Sequence, residues 1–186
     1  MNARETLHET LSVQHCERLI RDVADFPRPG ILFKDITPLL ANGPGFRAAV
    51  EHMAEIFEAQ RLHPEILACP EARGFIFGAA LAYRLGVGFV PIRKPNKLPH
   101  HKQRVDYDLE YGSDAVEIHL DAIQPGEKVV LVDDLIATGG TMAACARLMA
   151  NRGAQVLAGV FLIELQGLRG RDRLAPIPTY SLISAP

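Results

Sequence analysis

Short apolar runs alternate with helical stripes along most of the chain. Four runs, bounded by Gly and Pro, are typical of strands buried on both faces: "EILAC", "GFVPI", "KVVLVDD" and "AQVLAGVFLIEL". Two segments between them have helical spacing, "GFIFGAALAYRL" and "TMAACARLMANRG", and Gly153 is suited to end the second. This order of strand, helix and strand predicts an α/β fold with a central, mainly parallel, twisted sheet flanked by helices.

Two helical stripes precede the first of these runs. One consists of Leu7, Leu11, Cys16, Leu19, Ile20 and Val23, and the segment "FPRPG" stops it with two prolines and a glycine. The other consists of Phe46, Val50, Met53 and Phe57. We therefore expect one helix over residues 7–23 and another over residues 46–57.

The longest connection between predicted elements covers residues 93–114, "RKPNKLPHHKQRVDYDLEYGSD". It is polar, interrupted by prolines and too long for an idle link in a compact domain, so it is either a functional flap or disordered. The segment that follows it, "AVEIHL", alternates, which predicts a half-exposed, antiparallel strand. Its apolar side consists of Val116, Ile118 and Leu120, and its polar side of Glu117 and His119.

Length and composition indicate a single folded domain over residues 1–186. The chain has 48% hydrophobic and 23% charged residues, which is ordinary for a folded protein of this size. Its formal net charge of -2 provides no basic field for a nucleic-acid backbone, so we expect no nucleic-acid partner. Any anion that the protein binds must therefore be held by local groups.

Neither a secretion signal nor a membrane span is indicated. The N-terminus carries charged residues from Arg4 onward, where a signal would need an apolar core, and Arg84 interrupts the longest apolar stretch. We therefore expect a cytoplasmic protein with no membrane partner. The cysteines are too few and too widely spaced for a disulfide framework or a C-x-x-C site, so we expect small core residues at Cys16, Cys69 and Cys145.

Two acids and a run of small residues follow the predicted strand "VVLV". The carboxyl ends of parallel strands open onto the ligand crevice of an α/β sheet, which places Asp133 and Asp134 at a candidate site. The next segment has almost no bulky side chains, so its N–H groups can converge on one anion at the N-terminus of a helix starting near Gly140. We call this segment the cradle, and it consists of Ala137, Thr138, Gly139, Gly140 and Thr141. The structural alternative is that Asp134 caps a turn and the glycines fit a tight connection.

Other phosphate-binding loops do not match these residues. A nucleoside-triphosphate loop requires a Lys, and none follows Gly140, while "GVGFVP" fails the dinucleotide-binding pattern at its last position. A loop for a single phosphate beside a pair of acids remains. Two adjacent carboxylates would repel the phosphate unless they face hydrogen-bond donors, and a vicinal diol supplies two of them. A phosphorylated ribose meets both requirements.

The stretch "VVLVDDLIATGGT" closely resembles the phosphoribosyl pyrophosphate (PRPP) binding motif of type I phosphoribosyltransferases. Further blocks over residues 26–182 resemble, in order, those of the adenine phosphoribosyltransferase family: "FPRPGILFKDITPLL", "EARGFIFG", "GVGFVPIRKPNKLP", "YDLEYG" and "LIELQGLRGRDRLAPIPTYSL". The resemblance implies the type I phosphoribosyltransferase fold, with a small base-binding hood in residues 1–40 and a flexible, antiparallel catalytic loop over residues 93–113. It also implies a homodimeric purine-salvage enzyme that, with Mg2+, converts PRPP and adenine to AMP and pyrophosphate.

The same resemblance implies roles for individual residues around the base. Phe33 would stack on adenine, and the backbones of Leu32 and Lys34 would contact the edge of the base. Glu110, which we group with the acid pair as catalytic, would assist proton transfer from the purine, and Tyr111 would help to seal the closed site.

On the pyrophosphate side, the resemblance implies that Arg73 clamps the diphosphate and that a non-proline cis peptide lies near Glu71 and Ala72. Three further cations are implied on that side, Arg93, Lys94 and Lys97. Magnesium would be held mainly by PRPP oxygens and water rather than by direct protein ligands.

Two alternatives remain at this point. The same fold could transfer phosphoribose to xanthine, hypoxanthine or orotate, although "FPRPGILFKDITPLL" and "YDLEYG" resemble the adenine-specific family. A PRPP-sensing transcriptional regulator could keep the cradle without catalysis. Such a regulator should add a basic DNA-binding module, for which neither the length nor the charge leaves room.

Overall fold

The computed structural model describes residues 10–108 and 113–186, and the chain divides into two units, one up to His52 and one from Met53 to Pro186. The first unit contains α1 (Val13–Arg18), β1 (Arg21–Ala24), β2 (Leu32–Asp35), α2 (Thr37–Ala41) and the first part of α3 (Gly43–Ala59). The second contains the rest of α3, then β3 (Ile66–Pro70), α4 (Arg73–Leu85), β4 (Gly88–Ile92), β5 (Lys102–Asp108), β6 (Ser113–His119), β7 (Lys128–Ile136), α5 (Gly140–Asn151), β8 (Gln155–Leu165) and β9 (Thr179–Ala185). Two 3-10 helices lie between β8 and β9, Gln166–Leu168 and Gly170–Leu174, and we call the second the C-terminal 3-10 helix.

The first helix is shorter than its hydrophobic pattern predicts. It begins after Ser12, whose side chain accepts a hydrogen bond from the His15 N–H (3.3 Å), and it ends at Arg18. Residues 7–9 of the predicted helix over residues 7–23 lie outside the described residues. The prediction is wrong for residues 10–12, which precede the helix, and from residue 19 onward, because residues 21–24 satisfy their backbone groups by antiparallel pairing with β2. The second predicted helix, over residues 46–57, is confirmed within α3.

A five-stranded sheet forms the centre of the second unit, in the order β4-β3-β7-β8-β9, and all four of its strand pairs are parallel. The predicted α/β fold class is confirmed. The four predicted strands are present, and β9 is an additional strand that the sequence analysis missed. Because parallel strands all point the same way, the turns that follow β3 and β7 meet at one edge of this sheet.

The core of the second unit lies against β7. Residues 129–132 of this strand have no exposed surface, as a strand covered on both faces requires, and Leu148 and Met149 of α5 are equally buried. All three cysteines are buried free thiols, which confirms their prediction as core residues. Cys69 is packed so closely against α4 that a Cβ on Gly78 would overlap its sulfur.

β5 (Lys102–Asp108) and β6 (Ser113–His119) pair antiparallel, and we call this pair the hairpin. The predicted antiparallel strand at "AVEIHL" is confirmed, and the disordered alternative for residues 93–114 is wrong for Lys102–Asp108, which forms β5. The prediction that Glu117 is exposed is also wrong. Glu117 is 2% exposed, and its carboxylate pairs with Lys102 Nζ (2.9 Å) and accepts a hydrogen bond from the Asn96 N–H (3.2 Å).

Within the part of the chain that the structure describes, no helix has the length and apolar character needed to cross a membrane.

Candidate active site

A cavity of about 270 Å³ opens at the carboxyl edge of the central sheet. Residues 70–73 from the β3–α4 turn and residues 133–142 from the end of β7 and the start of α5 line most of it. Lys94, after β4, and Arg173, in the C-terminal 3-10 helix, complete the lining. The structure thus brings the predicted acid pair and all five residues of the cradle to one cavity.

The two acids have different surroundings. Asp134 is 3% exposed, and its Oδ2 lies 3.0 Å from Arg73 Nε. Asp133 is half-buried, and its Oδ1 accepts a hydrogen bond from the Asp134 N–H (2.8 Å). Burial and the neighbouring Asp134 charge hold the pKa of Asp133 well above its ordinary value. Burial also raises the pKa of Asp134, although the Arg73 guanidinium opposes this rise.

This arrangement favours a partner that donates hydrogen bonds to the acids. Burial already disfavours the charged forms of these two adjacent carboxylates, and a third negative charge beside them would be repelled. Hydroxyl groups stabilise a carboxylate by hydrogen bonding and carry no charge of their own.

The β3–α4 turn packs closely against Asp133. A Cβ on Gly74 would lie 2.8 Å from Asp133 Oδ1 and 3.2 Å from the Val132 carbonyl oxygen, so only glycine fits here without a shift of the acid. The peptide bond between Glu71 and Ala72 is cis, as predicted.

The cradle ends at the start of α5, which begins at Gly140 as predicted. Gly139 precedes it with φ of 78°, in the left-handed region, and within the described residues no side chain caps this helix N-terminus. The first N–H groups of a helix have no partner inside the helix. Together with the positive end of the helix dipole, they form a site suited to an anion.

Lys94 joins the cavity to the hairpin. Its Nζ donates a hydrogen bond to Tyr107 Oη (2.9 Å) and forms an ion pair with Asp114, while Tyr107 Oη lies 3.2 Å from Thr141 Oγ1. Burial lowers the pKa of Lys94, but the hydrogen bonds with Asp114 and Tyr107 outweigh this effect and raise the pKa above its ordinary value. Lys94 therefore remains a cation next to the last residue of the cradle.

The other two cations predicted after β4 do not line the cavity. Arg93 Nε donates a hydrogen bond to Glu71 Oε2 (3.2 Å), and its guanidinium lies 5.7 Å from the centre of the Phe75 ring. Lys97 is exposed. Glu71 also accepts a hydrogen bond from the Lys94 N–H, so this acid connects the β3–α4 turn to the segment after β4.

The residues predicted to bind the base lie in the unit up to His52. Phe33 is half-buried, with its ring edge-on to that of Phe26 (5.1 Å between centres), and Leu32 is 49% exposed. Lys34 Nζ lies 2.7 Å from Asp22 Oδ1. Glu110 and Tyr111, also predicted as site residues, lie outside the described residues.

Sequence reasoning missed two charged residues of the cavity lining, Glu71 and Arg173. Glu71 stands in the "EARG" block, where only the neighbouring Arg73 was assigned a role. Arg173 stands in "LRGRDR", where three arginines are spaced two apart. A group of cations is a signal for phosphate binding, but the sequence does not show which of these three arginines reaches the cavity.

Comparisons with known proteins show the family of this chain. A model of the phosphoribosyl transferase domain matches residues 36–177. The chain is 54% identical to the adenine phosphoribosyltransferase of Dichelobacter nodosus over 167 residues, which cover 90% of this chain and 96% of that protein.

Solved structures agree as well. The crystal structure of adenine phosphoribosyltransferase from Thermoanaerobacter pseudethanolicus matches with a TM-score of 0.91 at 48% identity, covering 94% of this chain and 100% of that one. The Saccharomyces cerevisiae enzyme, complexed with an imino-altritol bisphosphate and adenine, matches with a TM-score of 0.87 at 38% identity, covering 91% and 97%. The resemblance that the motifs indicate is confirmed, and the chain belongs to the phosphoribosyl transferase family and, within it, to the adenine phosphoribosyltransferases.

Proposed function

We propose that this protein transfers the phosphoribosyl group of PRPP to adenine, giving AMP and pyrophosphate. The observation that carries the proposal is that Asp133, Asp134 and the cradle line one cavity at the edge of the sheet. The acid pair suits the two ribose hydroxyls, and the amides at the start of α5 suit the 5-phosphate. The relatives named adenine phosphoribosyltransferase support adenine as the acceptor.

Arg73 and Lys94 are the protein cations that we propose for the diphosphate. Both line the cavity, Arg73 at the β3–α4 turn and Lys94 after β4. Bond breaking at the anomeric carbon leaves negative charge on pyrophosphate, which fixed cations stabilise. Each of them holds a carboxylate in the structure, Asp134 and Asp114 respectively, so substrate oxygens would compete with these acids. We also propose Arg93 and Lys97 as cations on the pyrophosphate side, and Arg93 would act through its hydrogen bond to Glu71.

The donor set fits a magnesium ion that accompanies PRPP. Among the described residues, no group of three or more His, Cys, Asp or Glu side chains could hold a metal ion alone. Magnesium typically uses one or two carboxylates together with substrate phosphates and water, and Asp133 and Asp134 would hold such an ion through water. When bound, the ion would supply positive charge to the leaving pyrophosphate.

Proton transfer and closure of the site are proposed for the hairpin. We assign to Glu110 the acceptance of the proton that adenine loses as the new bond forms, and to Tyr111 the exclusion of water. The described ends of β5 and β6 flank these residues. Tyr107 of β5 already contacts Thr141 of the cradle, which gives the hairpin a fixed base beside the cavity.

For the acceptor base, we propose that Phe33 stacks on adenine and that the backbones of Leu32 and Lys34 contact its edge. Within the described residues, β2 pairs only with β1, so its second edge is available for main-chain hydrogen bonds. Leu32 and Lys34 are two residues apart, and their backbone groups therefore face the same edge. We also propose a single functional domain over residues 1–186, a homodimer, and a location in the cytoplasm.

The choice of base provides the direct test of the proposed function. We expect the protein, supplied with PRPP and Mg2+, to release pyrophosphate with adenine and not with hypoxanthine, guanine or xanthine. Pyrophosphate release measured with each base in turn checks this. Activity with hypoxanthine but not with adenine would overturn the base assignment while leaving the PRPP site in place.

Replacing Phe33 with Ala should weaken adenine affinity by about 5- to 150-fold, because stacking of a base on an aromatic ring contributes roughly 1 to 3 kcal/mol. The affinity for PRPP should not change. Phe33→Tyr is the matched control, since it keeps an aromatic face. The measurement is the KM for each substrate, and an unchanged KM for adenine in Phe33→Ala would assign the ring a structural role only.

A further inference from the structure

The three arginines around the C-terminal 3-10 helix have different partners. Arg169 Nε donates a hydrogen bond to Asp172 Oδ2 (2.8 Å) and is 80% exposed at its side chain. Arg171 forms a two-point ion pair with Glu164, whose side chain is 3% exposed. The side chain of Arg173 makes no hydrogen bond or ion pair with any residue that the structure describes, and it lines the active-site cavity.

The C-terminal 3-10 helix packs directly against the cradle. A Cβ on Gly139 would overlap the carbonyl oxygen of Gly170 and lie 3.1 Å from its Cα, and a Cβ on Gly170 would overlap the carbonyl oxygen of Ala137. The two glycines therefore allow two backbone segments to approach more closely than side chains would permit. This contact fixes the start of the C-terminal 3-10 helix against the cradle.

Helix geometry then directs Arg173 toward the same side. A 3-10 helix has three residues per turn, so residues i and i+3 lie above one another, and Arg173 is three residues after Gly170. The helix is held in this orientation by Leu174, which is 2% exposed, and by the ion pair of Arg171 with Glu164. Ser181 of β9 donates a further hydrogen bond to the same carboxylate (2.9 Å).

A phosphate in the cradle would need a further positive charge beyond those around the cavity. Arg73 and Lys94, the other two cations of the lining, already pair with Asp134 and Asp114. The cradle itself offers amides and a helix terminus, which is equivalent to roughly half a positive charge. A phosphate monoester carries up to two negative charges near neutral pH, so it would be incompletely compensated by the cradle alone.

We propose that Arg173 binds the monoester phosphate of the sugar phosphate from the side of the C-terminal 3-10 helix, and so extends the cradle by one charged donor. This inference rests on the proposed function for the identity of the sugar phosphate. The guanidinium can donate two parallel hydrogen bonds to phosphate oxygens, which a backbone amide cannot. Because the monoester phosphate is chemically unchanged during the transfer, Arg173 should bind substrate and transition state equally.

The test compares Arg173→Gln with the unmodified protein by calorimetric binding of ribose 5-phosphate and of pyrophosphate with Mg2+. We expect Arg173→Gln to weaken ribose 5-phosphate binding about tenfold and to leave pyrophosphate binding within about twofold, on the usual size of a charge-assisted hydrogen bond at a partly solvated site. Arg173→Lys should recover part of the loss. Arg169→Gln, an exposed arginine in the same segment, is the matched control and should change neither affinity.

Steady-state kinetics provide a second measurement of the same inference. The KM for PRPP should rise about tenfold in Arg173→Gln while kcat stays within about twofold, as expected for a group that binds ground state and transition state alike. Unchanged ribose 5-phosphate affinity, or an equal loss for pyrophosphate, would overturn the role of Arg173. Failure of the unmodified protein to form AMP from adenine would instead contradict the proposed function, and the two binding measurements would still decide whether Arg173 holds a sugar phosphate.

Discussion

Replacing Gly139 with Ala should lower kcat/KM for PRPP by at least about 100-fold. The added Cβ would overlap the carbonyl oxygen of Gly170, and no side-chain rotation can move either atom. The cradle must therefore move relative to the C-terminal 3-10 helix, which displaces the amides at the start of α5. A displacement of about 1 Å in a binding site can cost about 100-fold in rate. Initial rates at varied PRPP concentration measure the effect.

Gly126→Ala separates this effect from the general cost of alanine in a left-handed conformation. Gly126 has φ of 89°, and a Cβ there would meet nothing within 4 Å. The left-handed conformation should cost both variants about 1 to 2 kcal/mol of folding free energy, equivalent to about 2 to 8 °C in Tm for a chain of this size, and the overlap should make the loss in Gly139→Ala larger. Only Gly139→Ala should lose activity. Normal kcat/KM in Gly139→Ala would show that the cradle tolerates the shift or does not bind the phosphate.

The position of the acid pair was predictable from the sequence because it depends on topology alone. An apolar run long enough for a buried strand precedes Asp133, and small residues follow Asp134. Parallel strands in an α/β sheet bring such strand ends to one edge, and the structure has them at one cavity with the β3–α4 turn. The order of apolar and small residues contains this information without any knowledge of distant contacts.

The choice of partners among charged residues was not predictable in the same way. Arg93, Lys94 and Lys97 follow one strand, yet only Lys94 lines the cavity, because Glu71 from another turn pairs with Arg93. Arg173 was missed for the same reason. Only the tertiary structure shows that Arg171, two residues before it, pairs with a buried acid on β8. Charge patterns report which residues are available, and packing between distant segments decides which of them reach the site.

Strand pairing caused the errors in the predicted elements. Residues 21–24 have apolar spacing that fits the end of a helix, but they pair with β2. Glu117 lies on the polar side of an alternating strand, which predicts exposure. In the structure it is buried, because Lys102 on β5 and the Asn96 N–H satisfy its carboxylate. A single strand shows its own alternation, and the identity of the strand beside it is a non-local property.

Asp133→Asn should make the protein more stable and much less active. Asn keeps the oxygen that accepts the Asp134 N–H and removes a carboxylate that burial and the adjacent acid disfavour. At pH 7.5 we expect a gain of about 1 kcal/mol, or about 2 to 4 °C in Tm, since removal of an unfavourable buried charge typically stabilises. We expect kcat/KM to fall by about 100-fold, because the amide no longer accepts both hydroxyl donors or balances positive charge on the ribose.

The pH dependence of this stability gain tests its electrostatic cause. A carboxyl group whose pKa is raised in the folded state binds its proton more tightly there than in the unfolded chain, so its ionisation destabilises the fold as pH rises through the folded pKa. The penalty is fully present above that pKa and absent below the ordinary value near 3.8. The Tm difference between Asp133→Asn and the unmodified protein should therefore shrink as the pH falls from 7.5 toward 4. Asp121→Asn, at an exposed acid, should change neither Tm nor activity, and a gain in Asp133→Asn that is independent of pH would show that packing rather than charge causes it.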